Sequence, residues 1–509
     1  MAFSSMNIQR IAKQFAASAT SQVIILLQQL LLPPIFIHFY GVSSYADWLT
    51  LSASVGYLST LQFGMQTYVN NELTMRYSRG EMDQYQVMQS TALRMLFGIA
   101  IVAAILLGVV FFLPLNSWMR LPLSQHATAT AVFFLGLQVI ANLPLNYFSG
   151  TYMVFGQAYR GVTWQNVLRA MMIVVAIVMA LMRSSFPAIA IGQFVVVLLY
   201  TVLVLVDLRR LEPRIFPTLR YWDRRMARSI LGPSGYFFLL YTCNFLVYQL
   251  PILLIRRMLG PLDVVIFNVT RSIFSMIRQG LAVFTNSLGP DVTTLFGQRD
   301  WKSLANLYSL SEKILFSAIP TLNFTTLLMA PVLLQVWLHK PNLYSLTAYA
   351  VMSMCSCAIA VRDHKMLFQV ATNHHREMAR NAFVSYVLMI AASFYVIPHY
   401  RLVGFLLLWF VTEFSQTLYI LWLNTKLLEA HGAVDKWPVI KMLILVPLAA
   451  GCSILIARHD QSFGYVTQAV IALSFGLVLF AVSAWVFRLR DVIERFRHRR
   501  ARAQAAVAI

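Results

Sequence analysis

Two arginines lie inside a segment that is long and apolar enough to cross a membrane. The segment covers residues 263–289, and Arg271 and Arg278 are seven residues apart within it. Seven residues make about two helical turns, so both side chains share one helix face, which Asn268 and Ser275 complete. A charge near the bilayer centre costs at least about 2.5 kcal/mol, so such residues usually face a protein interior or a watery cavity. Because a guanidinium fork matches phosphate or carboxylate, the spacing predicts a cationic stripe that binds an anionic ligand.

An acid elsewhere in the chain could neutralise one of these arginines without any ligand. Glu413 lies in the middle of another apolar segment and could be an internal counter-ion. It could also bind a coupling proton or sodium ion, because ionisable groups inside membranes often belong to ion pathways. The sequence leaves both roles open.

Amide and hydroxyl side chains form further polar stripes at helical spacing. They include Gln62 and Gln66 in one apolar segment, and Asn244 and Tyr248 in another. Polar residues of this kind also hold membrane helices together, so each stripe taken alone fits packing. Taken with Arg271 and Arg278, they predict a shared hydrophilic cavity that lines a substrate path.

Two adjacent arginines, Arg256 and Arg257, close the apolar segment that contains Asn244 and Tyr248. They lie at the end that the charge pattern described below places outside the cell. Since positive charges are generally depleted on that side, we predict an anion site at the outer mouth of the cavity.

The composition is that of a polytopic membrane protein. Of 509 residues, 59% are hydrophobic and 12% are charged, against about 25% charged in soluble domains. We predict an all-α fold with about fourteen spans, at approximately 17–39, 45–68, 91–113, 127–150, 163–182, 186–206, 231–256, 263–286, 311–337, 342–361, 379–398, 401–423, 439–457 and 464–487.

The net charge of +21 is explained by topology. If the chain begins inside the cell, most of the 40 lysines and arginines fall in inner segments, including the arginine-rich segment 207–230 and the tail from Arg488 to Arg500. This asymmetry predicts that both termini are cytoplasmic, and it removes the need for a nucleic-acid partner. Arg362 and Lys365 are assigned to a cytoplasmic loop by the same pattern.

An internal repeat divides the spans into two halves. Gly41 and Gly260 each begin a similar segment, and Gly80 and Gly297 follow in the two loops behind them. We predict an N-terminal six-helix lobe over 1–206, a basic linker over 207–230, a C-terminal six-helix lobe over 231–424, and two extra helices with a basic tail over 425–509. The even number of spans in each lobe predicts a pseudo-two-fold axis along the membrane normal. Asp47 and Asp263 are expected to cap helix starts.

The chain carries no sequence signature of catalysis. The four cysteines form no CxxC pair, and no zinc motif, phosphate loop or nucleophile elbow is found, so we predict a non-enzyme without metal or cofactor.

Local motifs resemble one branch of a transporter superfamily. They are Pro33-Pro34, then Gly41-x-x-x-Tyr45-x-x-Trp48, then LQFGMQTYVNNE from Leu61 to Glu72, and a loop with Gly80. Together with the span count and the repeat, they resemble the polysaccharide-transporter branch of the multidrug/oligosaccharidyl-lipid/polysaccharide exporter superfamily. Its best-known members are O-antigen and exopolysaccharide repeat-unit flippases.

The resemblance implies a flippase of the bacterial inner membrane that works by alternating access. Its cargo would be an undecaprenyl-pyrophosphate-linked oligosaccharide repeat unit, and membrane lipids and other polysaccharide-assembly proteins would be its partners. Arg271 and Arg278 are candidates for the cationic cavity of such proteins. A drug/cation antiporter of the same superfamily is the nearest rival, and a membrane glycan polymerase or ligase is a more distant one. The glycan, the coupling ion and the oligomeric state are not specified by the sequence.

Overall fold

The protein is all-helical throughout the part of the chain that the computed structural model describes. That part is residues 8–490 except 63–64, 79, 155, 289–291, 293–294, 297–298, 373, 430–434 and 461. Within it, nine helices are long and apolar enough to cross a membrane. The helix that contains Arg271 and Arg278 is not one of the nine, so the expectation that residues 263–289 are apolar enough to cross is not met. The prediction of an all-α polytopic membrane protein is confirmed. The basic tail beyond residue 490 and Gly297 lie outside the described residues.

The chain forms two compact units, Met1–Val265 and Ile266–Ile509. The helices of the first unit are α1 (Ile8–Tyr40), α2 (Val42–Ser54), α3 (Met65–Ser78), α4 (Met82–Leu107), α5 (Leu115–Met119), α6 (Gln125–Val154), α7 (Ala158–Leu181), α8 (Phe186–Leu211), α9 (Arg224–Tyr248) and α10 (Leu250–Met258). The boundaries of the predicted lobes and the axis between them stay predictions.

Two predicted spans of the first unit are each broken into shorter helices. The span predicted over 45–68 consists of α2, a 3₁₀ helix at Gly56–Gln62 and the start of α3. The span predicted over 231–256 is broken at Gln249, where α9 gives way to α10. Pro251 follows the break, and proline has no N–H to continue the hydrogen bonds of α9.

The repeat is visible in the backbone at its two leading glycines. Gly41 precedes α2 with φ of 85°, and Gly260 precedes α11 (Pro261–Ser287) with φ of 116°. Both angles lie in a region that costs glycine little and other residues much more. The glycines that begin the two repeat copies therefore make the same kind of turn between a helix and its successor.

The helix α11 begins in the first unit and continues into the second. The other helices of the second unit are α12 (Trp301–Leu338), α13 (Leu346–Ala371), α14 (His375–Glu429), α15 (Trp437–Asp460) and α16 (Tyr465–Val486). α14 covers two predicted spans, which meet at a kink at Arg401, where the backbone is not helical. Asp300 caps α12 by accepting the Ser303 N–H, and its hydrogen bonds with Ser303 lower the pKa of the Asp300 carboxyl.

Candidate functional site

The guanidinium of Arg271 is held in a defined position on α11. Its Nη2 donates to Asn268 Oδ1 at 2.9 Å, and its Cζ lies 5.2 Å from the ring centroid of Phe267. Asn268 and Phe267 are buried, whereas Arg271 is half-buried. Three and four residues separate the contacting groups, so one helix face supplies both the amide acceptor and the aromatic surface. Arg271 and Asn268 lie on one helix face, as their spacing predicts, and the hydrogen bond between them was not predicted.

The other two residues of the stripe continue along the same face. Arg278 is half-buried, and Ser275 Oγ donates to the backbone oxygen of Ser272 at 2.8 Å within α11. A serine that bonds back to its own helix presents less polar surface to a ligand than one that points outward. The two arginines therefore contribute more of the polar surface of this stripe than Ser275 does.

Aromatic packing connects the Arg271 site to the acid on α14. The ring of Phe267 lies 5.8 Å from Phe405 and 5.8 Å from Trp409, measured between ring centroids. The indole Nε1 of Trp409 then donates to Glu413 Oε1 at 2.9 Å. The Trp409 ring, which packs against Phe267, is thus held in place by a hydrogen bond to the Glu413 carboxylate.

Glu413 is the counter-ion of an arginine that the sequence analysis placed in a loop. Its carboxylate is fully buried, forms a salt bridge with Arg362 and accepts a hydrogen bond from the Tyr386 hydroxyl at 3.0 Å. Arg362 also pairs with Asp363 at 2.9 Å. The loop assignment of Arg362 is wrong, because α13 continues ten residues beyond the predicted end of its span at 361.

A second buried ion pair was also missed. Lys365 and Glu312 are 0% and 1% exposed, and Lys365 Nζ lies 2.7 Å from Glu312 Oε1. The ammonium lies 3.6 Å from the ring centroid of Tyr308, and Asn424 Nδ2 donates to the Lys365 carbonyl at 2.9 Å. Lys365 is therefore a fully compensated core residue of the second unit and does not lie in a cytoplasmic loop. Arg271 and Arg278 are therefore not the sole cations within the long helices of the described residues, because Lys365 lies inside α13.

The predicted polar residues of the first unit have different environments. Gln66 is buried, and its Nε2 donates to the Leu143 carbonyl at 2.7 Å, which ties α3 to α6. Asn244 is exposed on α9, and Tyr248 is half-buried at the end of that helix. The side chain of Gln62 lies outside the described residues. Gln66 thus has the packing role, whereas Asn244 is accessible.

Arg256 is part of a buried salt bridge within the first unit. It is 3% exposed and pairs with Asp47, and it also donates to the carbonyls of Met119 and Arg120. Arg257 is exposed. The expectation that Asp47 caps a helix is wrong: α2 has Gly41 as its N-cap, and Asp47 lies in the second turn, where it neutralises Arg256.

A carboxylate cluster in the first unit escaped the sequence analysis. Asp207 Oδ2 accepts from the Tyr152 hydroxyl at 2.6 Å, from Arg160 Nε at 2.9 Å and from Trp164 Nε1 at 2.9 Å. These donors come from α6 and α7, 43 to 55 residues before Asp207 in the chain. No local spacing signals such a long-range cluster.

An apolar cavity of about 300 Å³ lies within the second unit, among α12, α13, α14 and α15. Its lining includes Phe316, Met354, Phe410, Phe414 and Met442. Such a lining suits a hydrocarbon chain rather than a polar ligand.

Comparison with known proteins finds solved structures with a similar fold, all at low sequence identity. No protein-family model and no curated protein sequence matches the chain. It is similar to an inward-facing multidrug resistance MATE family transporter of the MOP superfamily, with TM-score 0.65 and 14% identity over 84% of this chain and 99% of that one. It is also similar to the lipid II flippase MurJ in an inward closed conformation, with TM-score 0.67 and 12% identity over 94% of this chain and 99% of that one.

A third solved structure, the Vibrio cholerae MATE transporter VcmN in mutant form, has TM-score 0.58 and 11% identity over 83% of this chain and 98% of that one. Identities this low establish the fold alone. The chain therefore has the fold that MATE transporters of the MOP superfamily and the lipid II flippase MurJ share.

Proposed function

We propose that this protein is a flippase for lipid-linked glycans. In the proposal it moves undecaprenyl-pyrophosphate-linked oligosaccharide repeat units from the inner to the outer leaflet of the bacterial cytoplasmic membrane, for surface polysaccharide biosynthesis. Both termini are proposed to lie in the cytoplasm, and no covalent bond is made or broken. The fold similarity to a lipid II flippase supports transport of a lipid-linked substrate.

The observation that carries the proposal is the placement of Arg271. The 27-residue helix α11 holds a half-buried guanidinium between an amide oxygen and an aromatic face, and Arg278 follows two turns later. Fixing the guanidinium in advance reduces the entropy lost when a phosphate binds it. A planar fork in such a setting matches the oxygens of a pyrophosphate.

The physical task fits these residues. A pyrophosphate-linked sugar is too polar to enter hydrocarbon without replacement of its hydration shell. Arginines and amides such as Asn268 would replace that shell, while the polyprenyl tail stays among lipids or in apolar surfaces such as the cavity at Phe316. Glu413 stays a candidate for coupling to a proton or sodium gradient, because its carboxylate is an ionisable group inside a span.

A drug/cation antiporter is the second candidate, because MATE transporters share the fold. Organic cations favour acidic cavities, whereas the carboxylates of Glu312 and Glu413 are both engaged by a neighbouring basic side chain. This charge pattern favours an anionic substrate.

Deletion of the gene, followed by mass analysis of lipid-linked sugars, tests the proposal. We expect complete repeat units to accumulate on the inner leaflet, with re-expression of the intact protein as the control. Accumulation of incomplete units would point to a glycosyltransferase instead. An unchanged pool together with a new drug sensitivity would point to the antiporter.

A further inference from the structure

The segment that joins α8 to α9, residues 212–223, is bound along α4 by hydrogen bonds to four polar side chains within residues 89–94 of that helix. We call this segment the strap. The contacts are Gln89 Nε2 to the Ile215 carbonyl at 2.8 Å, Ser90 with Thr218 at 3.1 Å, Arg94 Nε to the Leu219 carbonyl at 2.8 Å, and the Asp223 N–H to Thr91 Oγ1 at 3.1 Å. The backbone of the strap is therefore fixed against the first unit by side chains of α4.

The strap lies where α4 changes from polar to apolar. Its last contact on α4 is Arg94, and the side chains of Ile101 and Ile105 further along are 59% and 70% exposed. Large apolar side chains with such exposure on a membrane-length helix face lipid. Seven residues of helix separate Arg94 from Ile101, which is about 10 Å. This distance places the strap at the level of the lipid headgroups.

The outer surface of the strap combines apolar and cationic side chains. Leu219 is 47% exposed and Trp222 is 52% exposed. Exposed arginines lie in the strap and in the helix ends on either side of it, namely Arg209, Arg210, Arg220, Arg224, Arg225 and Arg228. The strap contains two acids, Glu212 and Asp223, and Asp223 accepts the N–H groups of Arg225 and Met226 as the N-cap of α9, so its charge is directed into the helix start.

We propose that the strap is a binding surface for the headgroups of anionic phospholipids. Tryptophan and leucine at headgroup level enter the interface, and arginines beside them pair with lipid phosphates. Nucleic acid would meet the same charges, but it offers no apolar layer for Leu219 and Trp222. The binding is independent of the transported substrate, because no residue of the α11 stripe takes part.

The test is lipid binding by the full-length protein in detergent, measured by native mass spectrometry with added phosphatidylglycerol or phosphatidylcholine. The variant carries Arg220→Gln, Arg224→Gln and Arg225→Gln. Since α4 holds the strap through its backbone, the variant keeps its fold, which its thermal unfolding midpoint checks. We expect its affinity for phosphatidylglycerol to fall about a hundredfold, because each of the three interfacial arginines contributes about 1 kcal/mol. Binding of phosphatidylcholine should not change.

The matched control replaces three other exposed arginines, Arg120, Arg183 and Arg458, by glutamine. It makes the same change in net charge and should keep phosphatidylglycerol affinity within about twofold of the intact protein. An equal loss in both variants would overturn the proposal, because it would reflect net charge rather than the strap. Competition by inorganic pyrophosphate at one-to-one stoichiometry would also overturn it, because that result indicates a discrete phosphate site.

Discussion

The two units each contain a carboxylate that accepts hydrogen bonds from the same three kinds of side chain. In each case the donors are an arginine, a tyrosine hydroxyl and a tryptophan indole. They are Arg160, Tyr152 and Trp164 for Asp207, and Arg362, Tyr386 and Trp409 for Glu413. A carboxylate taken out of water needs several N–H or O–H donors, and the shared donor set meets that need in both units.

The clusters differ in depth and in what they support. The side chains of Asp207 and Arg160 are 15% and 37% exposed near helix ends, whereas Glu413 and Arg362 are 0% and 11% exposed. Loss of a partner near a helix end is compensated by water, whereas loss of a buried partner strands a charge. The Glu413 cluster also fixes Trp409, whose ring packs on the Phe267 ring below Arg271. The same donor set thus supports helix packing in one unit and the candidate site in the other.

The largest expected effect on stability is at the buried cluster around Glu413. Glu413→Ala should lower the free energy of unfolding by about 3 kcal/mol, because the Arg362 charge loses its buried partner and keeps only the partly exposed Asp363. Chemical unfolding of the purified protein in micelles measures it, and adding Arg362→Met should recover most of the loss. An unchanged stability of the single variant would contradict a buried ion pair at this position.

A smaller effect on stability is expected at the partly exposed cluster around Asp207. Asp207→Ala should cost about 1–2 kcal/mol, because water replaces some of the hydrogen bonds that Arg160, Tyr152 and Trp164 lose. The same unfolding measurement applies. If Asp207→Ala cost as much as Glu413→Ala, the difference in exposure would not be what separates the two clusters.

The indole donors provide a matched pair of still smaller changes. Trp409→Phe and Trp164→Phe each remove one hydrogen bond and keep an aromatic ring, at a cost of about 0.5–1.5 kcal/mol. We expect Trp409→Phe to lower glycan export as well, because its ring supports Phe267, whereas Trp164→Phe should leave export near normal. Export is measured as surface glycan per amount of membrane-inserted protein. Equal export by the two variants would disconnect the Glu413 cluster from the Arg271 site.

The sequence predicted local features well and long-range pairing poorly. The turn glycines Gly41 and Gly260 and the Arg271–Asn268 stripe depend on residues close in the chain, and the structure contains them. The charges of Arg362 and Lys365 looked like the end of a span, because their partners Glu413 and Glu312 are 51 and 53 residues away. An ion pair between residues that far apart leaves no local pattern in the sequence. The predicted span therefore ends at residue 361, whereas α13 continues to Ala371.

The central claim is that Arg271 and Arg278 bind the anionic headgroup of the transported lipid. Its most direct test is export of lipid-linked repeat units by Arg271→Ala and Arg278→Ala at matched membrane levels, with the exposed Arg183→Ala as control. Losing a charged hydrogen bond costs about 1.5–3 kcal/mol, so export should fall at least about tenfold in both variants and stay normal in the control. Normal export by the two site variants would contradict the claim.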